Sequence, residues 1–264
     1  MSEKEMVSQA RVVVIGGGVV GCSVLYHLAK MGWKDVVLVD KNELCSGATW
    51  HAAGLVGQLR STRNVTRMIQ YSVELYKQLE AETGQATGWN EVGSLRLASS
   101  EDRMLELRKI ASVGHGFGLN LDILGPKECQ ELFPVMSLDD VVGGVHLATD
   151  GYADPSMLTQ ALAKGARAHG ATIIRHNRVT GMTVQRGRVT EVQTEKGPIA
   201  CEYVVNCTGM WARQVGNMAG ANVPVVSFEH QYMVTEEIEG VPRDLPVTRD
   251  PDNLVYYRSE LGGL

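Results

Sequence analysis

Three glycines and an acidic residue near the N-terminus have the types and the spacing of a dinucleotide-binding site. Gly16, Gly18 and Gly21 directly follow a short apolar run, and Asp40 lies 19 residues beyond Gly21. In this arrangement the glycines permit a tight turn and a close backbone approach to a pyrophosphate, and the acid accepts hydrogen bonds from a ribose 2′-hydroxyl. The pattern therefore predicts a bound dinucleotide, and the acid disfavours NADP, whose ribose carries a phosphate at that position.

A histidine lies eleven residues beyond this acid, in a loop rich in glycine and alanine. The loop reads SGATWHAAG over residues 46–54 and contains His51. A histidine at this distance from the glycine fingerprint, Gly16, Gly18 and Gly21, indicates which dinucleotide is bound and how it is held. It therefore also indicates which chemistry follows. The alternative is a loop histidine that is hydrogen-bonded to the backbone.

The elements that must position these residues are evident from the same stretch. Residues 11–15 form a short run rich in β-branched side chains, which predicts a strand buried on both faces of a parallel sheet. Residues 19–31 carry apolar side chains at helical spacing, so the amides at the start of that helix would face the phosphates. Gly32 is expected to end the helix, and Val36–Val39 is expected to form a second buried strand.

Helix and strand patterns alternate along the rest of the chain. Helices are predicted over residues 65–82, 101–117, 126–132 and 155–169, and strands over 93–98, around the turns at Gly187 and Gly197, and over 203–209. The last of these strands ends in a glycine turn, so we expect it to return to the nucleotide-binding sheet. Apolar and polar residues alternate over 226–234, which predicts a further half-buried strand.

The composition agrees with an enzyme that has two subdomains. The chain has 264 residues, 44% of them hydrophobic, and a net charge of −5, which is enough to bury a full core. It has no basic face that would suggest nucleic acid, and no apolar run approaches the roughly 20 residues that span a bilayer. The start, MSEKEMVSQA, lacks the features of a signal or transit peptide, so a cytoplasmic location in a bacterial cell is expected. The cysteines are scattered without a CxxC pair, which predicts reduced packing thiols and no metal site; they are Cys22, Cys45, Cys129, Cys201 and Cys207.

Several motifs, taken in order, resemble one enzyme family. They are IGGGVVG, GATWHAAGL, GSLRLA, DGYADP, VVNCTGMWAR, EHQY and LVYYR, together with Asp40. The chain resembles, over nearly its whole length, the FAD-dependent dimethylglycine and sarcosine dehydrogenases and the related bacterial dimethylglycine oxidases, which are flavoenzymes similar to D-amino-acid oxidase. The resemblance implies an α/β fold in which a Rossmann-like FAD-binding domain is interleaved with a second α+β substrate domain that has a mostly antiparallel sheet. The expected bounds are 1–88 and 146–220 for the FAD-binding domain, and 89–145 and 221–264 for the substrate domain.

The resemblance implies that His51 is joined covalently to the 8α-methyl carbon of the flavin. An imidazole nitrogen is a competent nucleophile toward the electrophilic tautomer of an oxidised flavin. Eleven residues of extended chain span on the order of 35 Å, which is enough to run from the ribose at Asp40 to the flavin ring. By pattern alone Val179 is only a strand residue, but it belongs to the implied FAD contacts. Those contacts are Gly16, Gly18, Val19, Val20, Gly21, Asp40, Lys41, Ala48, Thr49, Trp50, Leu55, Val179 and Gly209.

The implied reaction is the oxidation of an N-methyl amine of the glycine series by hydride transfer to the flavin. The one-carbon unit would be released as formaldehyde or passed to tetrahydrofolate, which only the full-length protein would bind. His230 and Tyr256 match active-site positions of the dimethylglycine oxidases; the alternatives are a histidine satisfied in a sheet and a tyrosine that only packs. The amine must lose its proton before the hydride leaves. This step requires a weak base or a desolvated pocket near the amine.

The substrate also carries a carboxylate, for which arginine is the natural bidentate partner. Arg249 and Arg258 flank Tyr256 in the sequence, and Arg60 and Arg63 follow the loop over residues 46–54, which we call the flavin loop. The sequence does not choose among these four arginines. It also does not separate sarcosine from dimethylglycine, because one methyl group discriminates by only about 1–3 kcal/mol.

Two other functions stay open. One is an NAD-dependent dehydrogenase, for which Asp40 is equally suitable. The other is a non-catalytic protein that binds FAD, because regulatory subunits of pyruvate dehydrogenase phosphatase resemble this family. For an enzyme, the expected partners are a methylated glycine and an electron acceptor, either oxygen or an electron-transfer protein. Relatives continue beyond residues 260–264, which resemble the start of a strand, so we expect a truncated chain that is inactive in isolation.

Overall fold

The computed structural model describes residues 7–264; the first six residues, which belong to the N-terminal stretch MSEKEMVSQA, lie outside the described residues. The chain divides into two compact units. Unit 1 comprises Met1–Ala52, Gln78–Gly88 and Asp154–Glu229, and unit 2 comprises Ala53–Lys77, Trp89–Ala153 and His230–Leu264. Within residues 7–264, no helix combines the length and the apolar character needed to cross a bilayer.

The secondary structure alternates between helices and strands. The helices are α1 (Val19–Lys30), α2 (Arg63–Thr83), α3 (Glu101–Gly116), α4 (Pro126–Leu132), α5 (Pro155–Ala168) and α6 (Ala212–Met218), with a 3₁₀ turn at Gly209–Trp211. The strands are β1 (Gln9–Ile15), β2 (Val36–Val39), β3 (Leu55–Val56), β4 (Ser94–Ala98), β5 (Asp122–Leu124), β6 (Gly143–Leu147), β7 (Gly151–Tyr152), β8 (Thr172–Ile174), β9 (Val179–Gln185), β10 (Arg188–Thr194), β11 (Gly197–Asn206), β12 (Val247–Asp250) and β13 (Val255–Tyr257).

Unit 1 contains a six-stranded sheet in the order β8-β2-β1-β11-β10-β9. Strands β8, β2, β1 and β11 are parallel to one another, and β11, β10 and β9 continue as an antiparallel meander. All four residues of β2 are buried, as expected for a parallel strand with both faces covered. The pairing of β11 with β1 confirms the predicted return of the chain to this sheet.

Helix α1 is held against α5 by a close contact between an aromatic ring and a glycine. Tyr26 of α1 is fully buried, and a Cβ on Gly165 of α5 would stand 2.8 Å from its Cε2 atom. The Tyr26 hydroxyl donates to the carboxylate of Glu82 and accepts from Lys30 Nζ, at 2.8 and 2.6 Å. These contacts fix the helix that contains Gly21, the last glycine of the fingerprint.

Unit 2 contains a five-stranded, mostly antiparallel sheet in the order β13-β12-β4-β6-β5. Only the β12–β4 pair within it is parallel. On one face, Leu95 and Leu97 of β4 pack with Cys129 and Phe133 from α4 and its end. On the other face, Ala98, Val145 and Leu147 pack with apolar residues of α3. The architecture therefore agrees with a Rossmann-like sheet combined with a second, mainly antiparallel sheet.

Two strand predictions are wrong. Residues 221–238 form neither helix nor strand, and Val226, Phe228 and Met233 are exposed by 72%, 81% and 82%. Alternation of side chains predicts only that a strand would have one apolar face; a strand forms where a neighbour accepts and donates its backbone hydrogen bonds. Residues 260–264 form a turn closed by a Glu260–Gly263 bridge instead of the start of a strand.

The observed units differ from the predicted domain bounds in three segments. Residues 53–77 and 146–153 belong to unit 2, and 221–229 belong to unit 1. The first two differ because β3 pairs with β7, and because β6, which ends at Leu147, pairs with β4.

Candidate functional site

A cleft of about 570 Å³ opens in unit 1 where β1, β2 and β11 end. Clefts at the carboxyl ends of parallel strands are the usual ligand site of such sheets, and the volume lies in the range of small-molecule sites. Ten of the predicted cofactor contacts line it: Gly16, Gly18, Val19, Val20, Asp40, Lys41, Ala48, Thr49, Val179 and Gly209. The structure therefore brings together residues that are up to 193 positions apart in sequence.

Two of the fingerprint glycines are required by the backbone geometry. Gly16 has a φ of +109°, and a Cβ there would lie 2.4 Å from the carbonyl oxygen of Cys207. A Cβ on Gly21 would lie 1.8 Å from the carbonyl oxygen of Gly16. Gly21 does not line the cleft; its role is to let α1 start close to β1, which is the packing role that the pattern assigns to the third glycine.

Asp40 is held in a defined position at the end of β2. Its Oδ2 accepts from the Gly17 amide at 2.6 Å, and its Oδ1 accepts from the Asn42 amide at 2.7 Å. The carboxylate stays at the wall of the cleft, where the sequence predicts the ribose hydroxyls.

The start of α1 faces the cleft together with the flavin loop. Oγ1 of Thr49 accepts a hydrogen bond from the Val19 amide at 3.1 Å. The next amides of the helix have no acceptor within the helix, and the helix dipole favours negative charge at this end. The ammonium group of Lys41 lies 3.4 Å from the centre of the Trp211 ring, a cation–π contact at the cleft wall.

Besides Gly21, three of the predicted cofactor residues do not line the cleft; they are Trp50, His51 and Leu55. The Trp50 and His51 side chains are exposed, and neither is among the residues that line the cleft. Their rings stack with centroids 3.8 Å apart, and no hydrogen bond to the His51 ring is found in the described part of the chain. Leu55 belongs to unit 2, where it pairs with Tyr152.

Sequence reasoning missed several side chains of the cleft. Trp211, Met210 and Gln214 lie in and after the 3₁₀ turn that follows β11, and Asn177 and Arg178 precede β9. The strand-to-glycine junction around Gly209 was the available signal for the first group, and the second group has no motif.

The cleft has the features that a flavin dinucleotide requires. Helix amides and Lys41 suit the phosphates, Asp40 suits the ribose, and Val39, Val179 and Val215 supply apolar wall for a ring. Burial raises the pKa of the neighbouring Cys22 thiol to about 12, which disfavours the nucleophilic thiolate. All five cysteines are free, as predicted.

The predicted substrate residues of unit 2 separate into two groups. Arg249 is opposite Tyr256 in the β12–β13 pair, so both side chains share one sheet face. Arg258 is ion-paired with Glu260, and its guanidinium lies over the Tyr152 ring at 4.7 Å. His230 lies in the exposed irregular segment, and no hydrogen bond or ring contact connects it to Tyr256 within residues 7–264.

Of the two further arginine candidates, Arg60 is partly buried and Arg63 is exposed at the start of α2. The Nη1 atom of Arg60 donates to the Leu59 carbonyl oxygen at 3.3 Å. The electrostatic neighbours of Arg60 are Arg249 and Asp150.

Fold and cleft together define a protein that binds a dinucleotide at the carboxyl edge of a Rossmann-like sheet. Residues 11–264 match the model of the DAO family, described as FAD dependent oxidoreductase. The chain belongs to this family. This assignment favours FAD over the NAD alternative.

Similar proteins agree with the assignment. The chain is 42% identical over 257 residues to sarcosine dehydrogenase, mitochondrial, of Mus musculus, covering 95% of this chain and 28% of that protein. It is 39% identical over 266 residues to dimethylglycine dehydrogenase, mitochondrial, of Rattus norvegicus, covering 100% of this chain and 31% of that protein. The chain thus spans less than a third of the length of these two relatives. The solved structure of L-proline dehydrogenase from P. horikoshii superposes with a TM-score of 0.85 at 26% identity, covering 98% of this chain and 69% of that one.

Proposed function

We propose that this chain is the FAD-binding part of an oxidoreductase that oxidises N-methyl amines of the glycine series, sarcosine or dimethylglycine. The observation that carries the proposal is the cleft at the ends of β1, β2 and β11, which gathers Gly16, Gly18, Asp40 and residues 46–49 in a chain of the FAD dependent oxidoreductase family. The names of the two dehydrogenase relatives suggest the substrate class.

Bound FAD would supply the acceptor for the hydride that leaves the N-methyl carbon. In unit 1, the start of α1 at Val19 and Val20, with the Val20 amide and the helix dipole, would bind the pyrophosphate, and Asp40 would accept from the ribose hydroxyls. Lys41, fixed over Trp211, would hold positive charge beside them. Val179 and the neighbouring apolar wall would exclude water from the ring.

Covalent attachment through His51 is part of the proposal. Its imidazole is exposed and stacked on Trp50, and the alternative of a loop histidine tied to the backbone has no such hydrogen bond to support it within residues 7–264. A free ring nitrogen on a loop of this kind is available as a nucleophile.

At the substrate end, His230 would take the amine proton and Tyr256 would orient the amine through its hydroxyl. The one-carbon unit would leave as formaldehyde or pass to tetrahydrofolate in the full-length protein. The electron acceptor would be oxygen or an electron-transfer protein. A cytoplasmic location is proposed as well, although both dehydrogenase relatives are mitochondrial by name.

The test is an anaerobic screen of the full-length holoprotein against glycine, sarcosine, dimethylglycine and trimethylglycine. Loss of the oxidised flavin absorbance on adding sarcosine or dimethylglycine is expected, while trimethylglycine, which has no lone pair on nitrogen, is expected to leave it unchanged. A protein that binds FAD and stays oxidised with every methylated glycine would favour the non-catalytic alternative. NADH binding without flavin absorbance would contradict the proposal outright.

A further inference from the structure

A lysine and a tryptophan of unit 1 meet across the end of strand β1. Lys41 lies two residues beyond the end of β2, and Trp211 ends the 3₁₀ turn that follows β11. In the sheet, β2 and β11 lie on either side of β1, and strands two places apart are separated by about 10 Å. The Lys41 ammonium lies 3.4 Å from the centre of the Trp211 ring. This contact therefore joins the two sides of the glycine turn that follows β1.

The turn that carries Trp211 is fixed by the last side chain of β11. Asn206 Nδ2 donates to the carbonyl oxygen of Ala212 at 2.8 Å, and its Oδ1 accepts from the Thr208 hydroxyl at 2.7 Å. The Trp211 amide donates to the Thr208 carbonyl oxygen at 3.1 Å. Because these bonds hold the residues on both sides of Trp211, the ring is presented to the cleft from a rigid turn.

The ammonium of Lys41 depends on this ring for its position. Lys30 and Lys77 are each ion-paired with a glutamate. Within residues 7–264, by contrast, no carboxylate oxygen lies within 4.0 Å of the Lys41 ammonium. A lysine head group on its flexible four-carbon stem has many rotamers, so the Trp211 ring is what keeps this charge at the cleft wall.

The flavin loop approaches the same ring. A Cβ on Gly47 would stand 3.6 Å from the Cζ3 atom of Trp211, an ordinary van der Waals distance. Gly47, Lys41 and Trp211 line the cleft together with Gly16 and the rest of the glycine turn. Lys41 and Trp211 are also partly exposed, so their contact lies where the cleft meets solvent.

We propose that Lys41 and Trp211 form a clasp across the glycine turn, and that this clasp must open for a dinucleotide to enter or leave the cleft. A cation–π contact at a partly exposed site favours the closed form by a factor of about two to thirty. Only the open fraction of the protein exchanges ligand, so the clasp slows entry and release alike. The clasp rests on the proposed binding of FAD in this cleft, and it does not depend on which amine is oxidised.

The experiment measures the association and dissociation rates of FAD by stopped-flow flavin fluorescence. Full-length protein with His51→Ala is used so that binding is reversible. Trp211→Leu is expected to raise both rates by about two- to thirtyfold, while Kd changes by less than either rate. Trp211→Phe, whose ring attracts a cation less strongly, should give intermediate rates. If Trp211 only contacted the dinucleotide directly, Trp211→Leu would raise the dissociation rate and leave the association rate unchanged.

A double-mutant cycle tests whether Trp211 acts through Lys41. In protein that already carries Lys41→Met, adding Trp211→Leu should change either rate by less than about twofold, because the clasp is already broken. Lys41→Arg keeps a cation that can lie over the ring, so its rates should stay near those of the parent protein.

The control is Trp33→Leu, which removes a contact of the same kind elsewhere in unit 1. The guanidinium carbon of Arg11 lies 4.3 Å from the centre of the Trp33 ring, and neither residue lines the cleft. Both rates should therefore stay within about twofold of the parent protein.

NMR of the full-length apoprotein tests the closed clasp without the cofactor. Reductive methylation with labelled formaldehyde marks the lysine nitrogens and keeps their charge. The Lys41 signal, identified by its absence from Lys41→Arg, should be shifted upfield by the Trp211 ring, and Trp211→Leu should return it to the position of exposed lysines. An unshifted Lys41 signal would overturn the clasp.

The failures of the two proposals are distinguishable. If the rates and the Lys41 signal behave as expected while no methylated glycine reduces the flavin, the clasp stands and the proposed function fails. If Trp211→Leu has no more effect than Trp33→Leu, or acts equally with and without Lys41, the clasp is overturned even if the protein oxidises dimethylglycine. A full-length protein that binds no FAD would overturn both.

Discussion

The carboxylate of Asp40 accepts a hydrogen bond from the backbone amide of Gly17 at 2.6 Å. Its other oxygen accepts from the Asn42 amide at 2.7 Å. One acid therefore ties the glycine turn after β1 to the end of β2. The side chain proposed to bind the ribose also shapes the turn proposed to bind the pyrophosphate. A substitution of Asp40 should therefore weaken binding at both parts of the nucleotide site.

Asp40→Asn tests this coupling. The amide nitrogen that replaces one carboxylate oxygen cannot accept, so one of the two hydrogen bonds is lost, and the free energy of unfolding should fall by about 1.5–3 kcal/mol. FAD affinity should fall roughly tenfold or more, because the ribose loses a charged acceptor. Urea unfolding of the apoprotein and a fluorescence titration with FAD measure the two effects.

The control for this substitution is Asp140→Asn, an exposed acid in unit 2 whose change should leave both quantities near wild type. Stability lost without any loss of FAD affinity would mean that Asp40 only shapes the turn.

Gly21→Ala tests the close approach of α1 to β1. The new methyl group would lie 1.8 Å from the Gly16 carbonyl oxygen, and a backbone atom cannot move away as a side chain does. We expect a loss of at least about 3 kcal/mol, the upper end of the usual cost of overpacking, and no uptake of FAD.

Gly116→Ala is the matched substitution in a helix, because nothing lies within 4 Å of that position. It should be neutral or slightly stabilising, by up to about 1 kcal/mol. A Gly21→Ala protein that unfolds at the same urea concentration as Gly116→Ala would show that α1 can shift away from β1.

Much of unit 1 could be predicted because its signals are local. The apolar run before Gly16, the spacing to Asp40 and the second glycine turn at Gly209 each follow from residues adjacent in the chain. Trp211 was not predicted as a cleft residue, because its contact with Lys41 joins positions 170 residues apart.

Unit 2 was less predictable because its side-chain rows run across strands. Arg96 and Arg249 became partners through the parallel register of β4 and β12, which no spacing within the sequence encodes. The alternation of apolar and polar side chains around Phe228 predicted a strand. It was wrong because a strand also needs a neighbouring backbone to pair with, and the alternation carries no information on that.

The Tyr26 hydroxyl provides a test of what fixes α1. Tyr26→Phe removes a buried group that donates to Glu82 and accepts from Lys30, so the free energy of unfolding should fall by about 1–3 kcal/mol. Tyr203→Phe, at an exposed position of β11, should change it by less than about 0.5 kcal/mol. Equal stability of the two variants would mean that the network adds nothing to the packing of Tyr26 on Gly165.

The same network predicts a loss of stability in acid. Burial opposes ionisation of Glu82, but the hydrogen bonds from Lys30 and Tyr26 outweigh it and hold the pKa of Glu82 below its usual value. A carboxyl with a lowered pKa in the folded state stabilises the fold above its unfolded pKa, and this contribution is lost as the pH falls through the folded value.

Glu82→Gln should therefore reduce stability at pH 7 and have less effect below the lowered pKa, where wild-type Glu82 is protonated. Urea unfolding at a series of pH values between 3 and 7 measures the difference between the two proteins. A difference that stays constant over this range would show that the charge of Glu82 contributes nothing.

The His51 imidazole, exposed and stacked on Trp50, gives the sharpest test of how the flavin is held. Full-length wild-type protein precipitated with acid should keep its yellow colour in the pellet, since a carbon–nitrogen bond survives denaturation. His51→Ala should release all of its flavin to the supernatant and, because the other contacts of the cleft remain, should still bind FAD reversibly before precipitation. His230→Ala is the matched histidine substitution: it should keep the flavin in the pellet while lowering the rate at which dimethylglycine reduces it. Flavin that leaves the wild-type pellet would show that it is not attached covalently. Flavin that stays in the His51→Ala pellet would show that another residue holds it.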